Sequence, residues 1–152
     1  MKNWIDASKI YLERRVLVIL LLGFSSGLPL LLVFQTLSAW LTESDISLTM
    51  IGWFPLASTA YALKFLWAPL VDKLHLPVLG RLLGQRRSWM IFSQILIALS
   101  MLGLGAADPA IDLWWTALWA VALAFASATQ DIAVDAYRIE SLDEEQLGAG
   151  SA

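Results

Sequence analysis

The stretch VLVILLLGFSSGLPLLLVFQTLSAWLT, residues 16–42, runs for 27 residues without one Asp, Glu, Lys or Arg. A helix that long reaches about 40 Å at ~1.5 Å per residue, more than the roughly 30 Å of a hydrocarbon core. The stretch lacks the period-2 alternation of a barrel strand. In lipid every backbone N–H and C=O must be paired internally, so such a segment spans as helix. Three more charge-free windows follow, at 46–63, 88–107 and 113–130, of 18, 20 and 18 residues. The reading is an all-α integral membrane fold with four transmembrane helices at about 16–41, 49–71, 89–107 and 113–133. A leader over 1–15 precedes them, and a cytoplasmic loop over 137–152 follows.

Composition agrees. Of 152 residues, 59% are hydrophobic and only 15% charged, against roughly 45–50% and 25% in soluble domains; the mean hydropathy is +0.68. A cleaved signal peptide does not fit the first window, which is far longer than a 7–15-residue apolar core and lacks a small-x-small cleavage site. With no cysteine and the single histidine His75, disulfides, thiol chemistry and clustered metal sites are excluded. No nucleophile, metal set or phosphate loop appears in a matching context, so the chain does not read as an enzyme. Nothing in it marks a nucleic-acid partner; membrane lipids are the partners its composition demands.

Positive charge sets the orientation. Lys2, Lys9, Arg14 and Arg15 precede the first window, Lys73, Arg81, Arg86 and Arg87 fall in the second loop, and the first and third loops, 43–45 and 108–112, hold none. The positive-inside rule therefore puts both termini and the second loop in the cytoplasm. Trp40, Trp53, Trp114 and Trp115 near outer ends, with Trp67 and Trp89 near inner ones, mark the interfaces as an aromatic belt. Residues 1–15 read either as a short amphipathic helix on the inner leaflet or as a solvated leader.

Polar residues inside spans are costly and carry the functional hints. Lys64 interrupts the second expected helix about 21 Å below Met50 at its outer end, at ~1.5 Å per residue. It reads either as facing a polar pathway, with Tyr61 three residues away on the same face, or as snorkelling to the inner surface. Asp131 and Asp135, four residues apart at the end of the fourth helix and preceded by Thr129 and Gln130, project from one face. They read as proton-carrying carboxylates, as a latch accepting hydrogen bonds from Arg86 and Arg87, or as an ordinary exposed helix end. Gln35, Thr36, Ser93 and Gln94 are further pathway candidates or plain interhelical bonds. Gly23 and Gly27 form a GxxxG packing face, and Pro29 after them bends the first helix or frees a carbonyl. Ala120, Ala124 and Ala128 give the fourth helix a second close-packing face.

These motifs together resemble a known family. Trp67-Ala-Pro-Leu-Val-Asp72-Lys73, followed by Gly84-Gln-Arg86-Arg87, resembles the loop signature of the major facilitator superfamily, with a lengthened loop and no leading glycine. The set Gly23-Phe-Ser-Ser-Gly27-Leu-Pro29, Lys64-Phe-Leu-Trp67-Ala-Pro69, Gly84-Gln-Arg86-Arg87-Ser-Trp89 and Ser127-Ala-Thr-Gln130-Asp131-Ile-Ala-Val-Asp135 is similar to AmpG muropeptide permeases. The resemblance implies a secondary active transporter of the bacterial inner membrane that imports anhydromuropeptides for peptidoglycan recycling, with no cofactor but the proton gradient. It also implies about twelve helices in two halves around the substrate. The chain then holds the N-terminal part, Gly148-Ala-Gly150 opens a fifth helix, and the missing C-terminal transporter helices are partners. By the same resemblance Asp72, Lys73, Arg86 and Arg87 are the cytoplasmic gating signature. Two other readings stand beside it: a small four-helix accessory subunit, and a major facilitator carrier of another substrate such as acetyl-CoA.

Overall fold

The computed structural model describes residues 13–143, and among these all regular structure is helical. Residues 1–12 of the leader and the proposed opening of a fifth helix lie outside the described residues, whereas Arg14 and Arg15, expected in the leader, already belong to the first helix. Eight α-helices occur in chain order: α1 (Arg14–Leu31), α2 (Leu37–Glu43), α3 (Leu48–Ile51), α4 (Thr59–Leu63), α5 (Ala68–Lys73), α6 (Leu79–Leu83), α7 (Gln85–Ala106) and α8 (Leu113–Ser141). By length and composition, α7 and α8 are long and apolar enough to cross a membrane.

The first window is helical from residue 14 to 43, but not uniformly. Pro29 lies inside α1, where it removes one backbone donor from the ladder. A π turn over Leu32–Thr36 then joins α1 to α2, and the Leu37 N–H donates to the Leu32 carbonyl five residues back. The second window is broken more thoroughly. After Ser47 caps α3 through the Met50 N–H at 3.4 Å, 3₁₀ turns at Phe54–Ser58 and Lys64–Leu66 alternate with the short α4 and α5. Gly52, Pro55 and Pro69 fall at or next to these joints, where glycine adds backbone freedom and proline cannot continue a ladder. The stretch expected to span over 49–71 is therefore wound as five short helical pieces, three α and two 3₁₀.

The last two helices depart from expectation at their ends. Gly84, at φ +79°, turns the chain into α7, which starts at Gln85, four residues earlier than the expected boundary. Asp112 caps α8 by accepting from the Trp115 N–H at 3.0 Å. This helix does not stop near 133 but runs to Ser141, so residues 137–141, expected in a loop, are helix. Arg138 pairs with Asp135 one turn back at 3.6 Å and Arg86 of α7 pairs with Glu140. Both contacts stabilise that extra turn.

The core is built on α8. Ala120, Ala124 and Ala128 are fully buried, as their spacing predicts. Toward one end Ala120 packs with Leu37, Leu41 and Phe54. In the middle Leu123 and Ala124 meet Val33 and Ala57, and toward the other end Ile132, Ala133 and Val134 meet Val71, Trp89 and Met90. The outer faces stay apolar: Leu20, Leu21 and Phe24 of α1, Leu102 of α7 and Trp114 of α8 are all exposed. So much exposed apolar surface suits a lipid solvent rather than water. The GxxxG face is not used within the described residues. Gly23 and Gly27 are exposed with nothing within 4 Å of a built Cβ, while Pro29 is buried.

A different glycine makes the close approach. A Cβ on Gly103 of α7 would lie inside the ring of Trp119, whereas one on Gly105 meets open space. Gly103→Ala should destabilise the α7–α8 packing by about 1–3 kcal/mol through overpacking. Gly105→Ala should be neutral, and Trp119→Leu should relieve most of the Gly103→Ala penalty. Thermal unfolding of the four proteins in detergent checks this.

Candidate site: a lysine between two aspartates

Lys64 opens the 3₁₀ turn after α4, and that turn aims its ammonium at α8. Asp131 and Asp135, a helical turn apart, both receive it: Lys64 Nζ bonds Asp131 Oδ2 closely and reaches Asp135 Oδ2 at 3.4 Å. From α1, Ser26 Oγ donates to Asp131 Oδ1 at 3.1 Å. Ser127 Oγ of α8 donates back to the Ser26 carbonyl at 3.3 Å. On the other side of Lys64, Trp67 Nε1 donates to Thr129 Oγ1 at 3.2 Å, and its ring stacks on Phe125 with centroids 4.7 Å apart. Three segments distant in sequence thus meet at one polar point.

Its electrostatics are balanced. Lys64 and Arg138 supply two positive charges and Asp131 and Asp135 two negative ones. The Lys64 and Asp131 side chains each keep 32% of their exposure, so the pair is shielded yet reachable. Breaking such a shielded pair costs more than forming it gains, since the remaining charge stays without its partner. The arrangement can exchange Lys64 between carboxylates, present a cation to an anionic ligand, or hold a proton on a released carboxylate.

Beside the triad and elsewhere among the described residues are buried polar groups without partners. The Tyr61 hydroxyl is buried close to Ser127, Asp131 and Lys64 and forms no well-shaped hydrogen bond. Gln130, 1% exposed, leaves both amide atoms unpaired, as does the Ser93 hydroxyl. Buried polar atoms are nearly always satisfied, so these three side chains are exceptions among the described residues. Gln35, Thr36 and Gln94 are exposed and stand apart from the network.

A second cluster holds the loop between α5 and α7. Arg86 bonds Asp72 through Nη1 and grips Glu140 Oε1 through Nε at 2.8 Å and Nη2 at 2.7 Å. Gln85 donates to the carbonyls of Val71 and Asp72, and Trp89 Nε1 to that of Leu74 at 2.9 Å. The expected latch of Arg86 and Arg87 on Asp131 and Asp135 is therefore not the pairing present. Asp72 and Glu140 lie closer to Arg86, while Lys64 satisfies the two deeper aspartates. Arg87 and Lys73 are exposed, with no ion pair among the described residues.

Ser26, Ser127, Trp67, Thr129 and Glu140 were not among the candidates read from sequence. A polar pair at Ser25-Ser26 within an apolar helix was the signal for the first, and the i−4 position relative to Asp131 the signal for Ser127. Glu140 had none once the helix was taken to end near 133. Lys64→Met should destabilise the fold, and Asp131→Asn added to it should restore part of the loss, giving a coupling of about 1 kcal/mol in a double-mutant cycle. Strict additivity of the two unfolding shifts would mean that the pair contributes nothing.

Comparison with known proteins agrees on one family. The model for acetyl-coenzyme A transporter 1 matches residues 15–111. The anhydromuropeptide permease of Escherichia coli K12 is 44% identical over 144 residues, covering 95% of this chain and 28% of that protein. The putative transporter AmpG 4 of Rickettsia felis is 41% identical over 145 residues, 95% of this chain and 35% of the relative. The chain thus spans about a third or less of the length of these curated relatives. No solved structure matches it. On the strength of the family model and of relatives matched along nearly all its length, the chain belongs to the acetyl-coenzyme A transporter 1 family of membrane transporters and is AmpG-like.

Proposed function

We propose that this chain forms the first four spans of a twelve-helix major facilitator carrier in the bacterial inner membrane, which imports anhydromuropeptides with protons. The observation that carries the reading is the Lys64–Asp131–Asp135 triad, set between three helical segments in a chain 44% identical to an anhydromuropeptide permease. Muropeptides carry free carboxylates, and an ammonium already shared between two aspartates can be transferred to a third anion at low cost. As Lys64 leaves, an uncompensated aspartate favours taking up a proton. Ligand and proton are coupled in this way through one side chain. The helices distal to residue 152 in the longer relatives would supply the opposite wall of the cavity. The family model's description supports a second reading, acetyl-CoA as cargo; its phosphates would meet the same cation.

The functional test is a chimera in which this chain replaces the corresponding segment of the E. coli permease in a strain lacking that permease. Uptake of labelled anhydromuropeptide should be restored and should collapse with a protonophore. Lys64→Ala should abolish uptake at normal membrane abundance; full activity would remove Lys64 from the pathway. Substituting Asn for the aspartate that carries the proton should spare exchange but end accumulation. Competition by acetyl-CoA and not by muropeptide would select the second reading.

Orientation is testable directly because the chain has no cysteine. Asp45→Cys and Asp108→Cys should react with an impermeant maleimide applied from the periplasm, and Leu82→Cys should not. The reverse pattern would invert the topology.

A further inference from the structure

At the end of the molecule where α1 and α7 begin and α8 finishes lies a pocket of about 710 Å³ that the transport reading does not use. Arg14, Arg15 and Arg87 line it, together with the apolar Val18, Leu22 and Met90. Tyr137 and Glu140 of α8 complete the polar side. Among the described residues that line it, three guanidinium groups face one carboxylate, and that carboxylate is already held by Arg86. Neither Arg14, Arg15 nor Arg87 has an ion pair among the described residues.

The backbone adds charge of the same sign. Both α1 and α7 point their N-terminal ends here, and the first turn of neither contains an acidic residue. The acid nearest in sequence to the start of α1 is Glu13, which occupies its N-cap position and does not line the pocket. Basic side chains at a helix start are set against the macrodipole, so the arrangement is favourable only with an anion present. The required anion has an apolar body beside its charge, because the same pocket carries Val18, Leu22 and Met90. At the surface of a membrane a phosphodiester attached to acyl chains meets both demands.

We propose that this pocket binds the phosphodiester headgroup of an anionic phospholipid. Arg14, Arg15 and Arg87 contact the phosphate, and Val18, Leu22 and Met90 contact the glycerol and the upper acyl carbons. The site is separate from the Lys64 triad in residues and in chemistry. It ties the start of α1 through a lipid to the start of α7 and the end of α8, which Arg86 and Glu140 already join to each other.

The test is native mass spectrometry of the full chain in detergent with phosphatidylglycerol, phosphatidylcholine or inorganic phosphate added. Phosphatidylglycerol should be retained at least tenfold better than phosphatidylcholine. The triple variant R14Q/R15Q/R87Q should lose about a hundredfold of that affinity, at roughly a factor of five for each basic side chain. Arg81→Gln, outside the pocket, should change nothing. Circular dichroism establishes that the triple variant is folded; if it is not, Arg87→Gln alone should lose about fivefold. Equal retention of the two lipids, or no effect of the arginine changes, overturns the proposal. Displacement of phosphatidylglycerol by millimolar inorganic phosphate also overturns it, because the site would then belong to a free phosphate.

Discussion

One ammonium group organises this molecule. Lys64 sits in a segment whose neighbours in sequence are Leu63, Phe65, Leu66 and Trp67, and apolar surroundings make an isolated cation expensive. The cost disappears only if carboxylates are delivered to it. Asp131 and Asp135 deliver them from a helix more than sixty residues away, and Ser26 steadies one of them from a third segment. Packing alone lets α8 slide or rotate against its neighbours. The ion pair fixes its height and its face.

That demand explains why α8 is so rich in small residues. For Asp131 to meet both Lys64 and Ser26, the helix must lie close to two others at once, and Ala124, Ala126, Ser127 and Ala128 leave no room for side chains between the backbones. The apolar surface displaced from the centre appears on the outside, on α1 and α7, where lipid accepts it. The departure from a water-soluble bundle lies in the exterior: the core holds apolar side chains with a few polar ones among them, and the outer faces are apolar as well.

Much of this was legible in the chain. The charge-free windows, the alanine spacing and the i,i+4 aspartates follow from helical geometry, and the structure places Ala120, Ala124 and Ala128 in the core. Partner choice was not legible, because it depends on relative helix heights. Arg86 was expected to reach Asp131 or Asp135, yet Glu140, on an extension of α8 that hydropathy does not register, intercepts it. The GxxxG spacing of Gly23 and Gly27 read as a contact face and meets nothing here, while Gly103, outside that spacing, lies against the Trp119 ring. Spacing identifies a face; only the neighbour decides whether it is filled.

The 3₁₀ turn that begins with Lys64 has a mechanical consequence. A 3₁₀ helix advances about 2.0 Å and 120° per residue, against about 1.5 Å and 100° for an α-helix. Rewinding Lys64–Leu66 into α geometry would shorten the segment by about 1.5 Å and turn one end against the other by about 60°. Such a rewinding would shift the ammonium relative to the two carboxylates it already reaches, without moving α8. The second segment is therefore a screw thread with its charge on the flank, and its irregular winding stores the travel that a rigid span would lack.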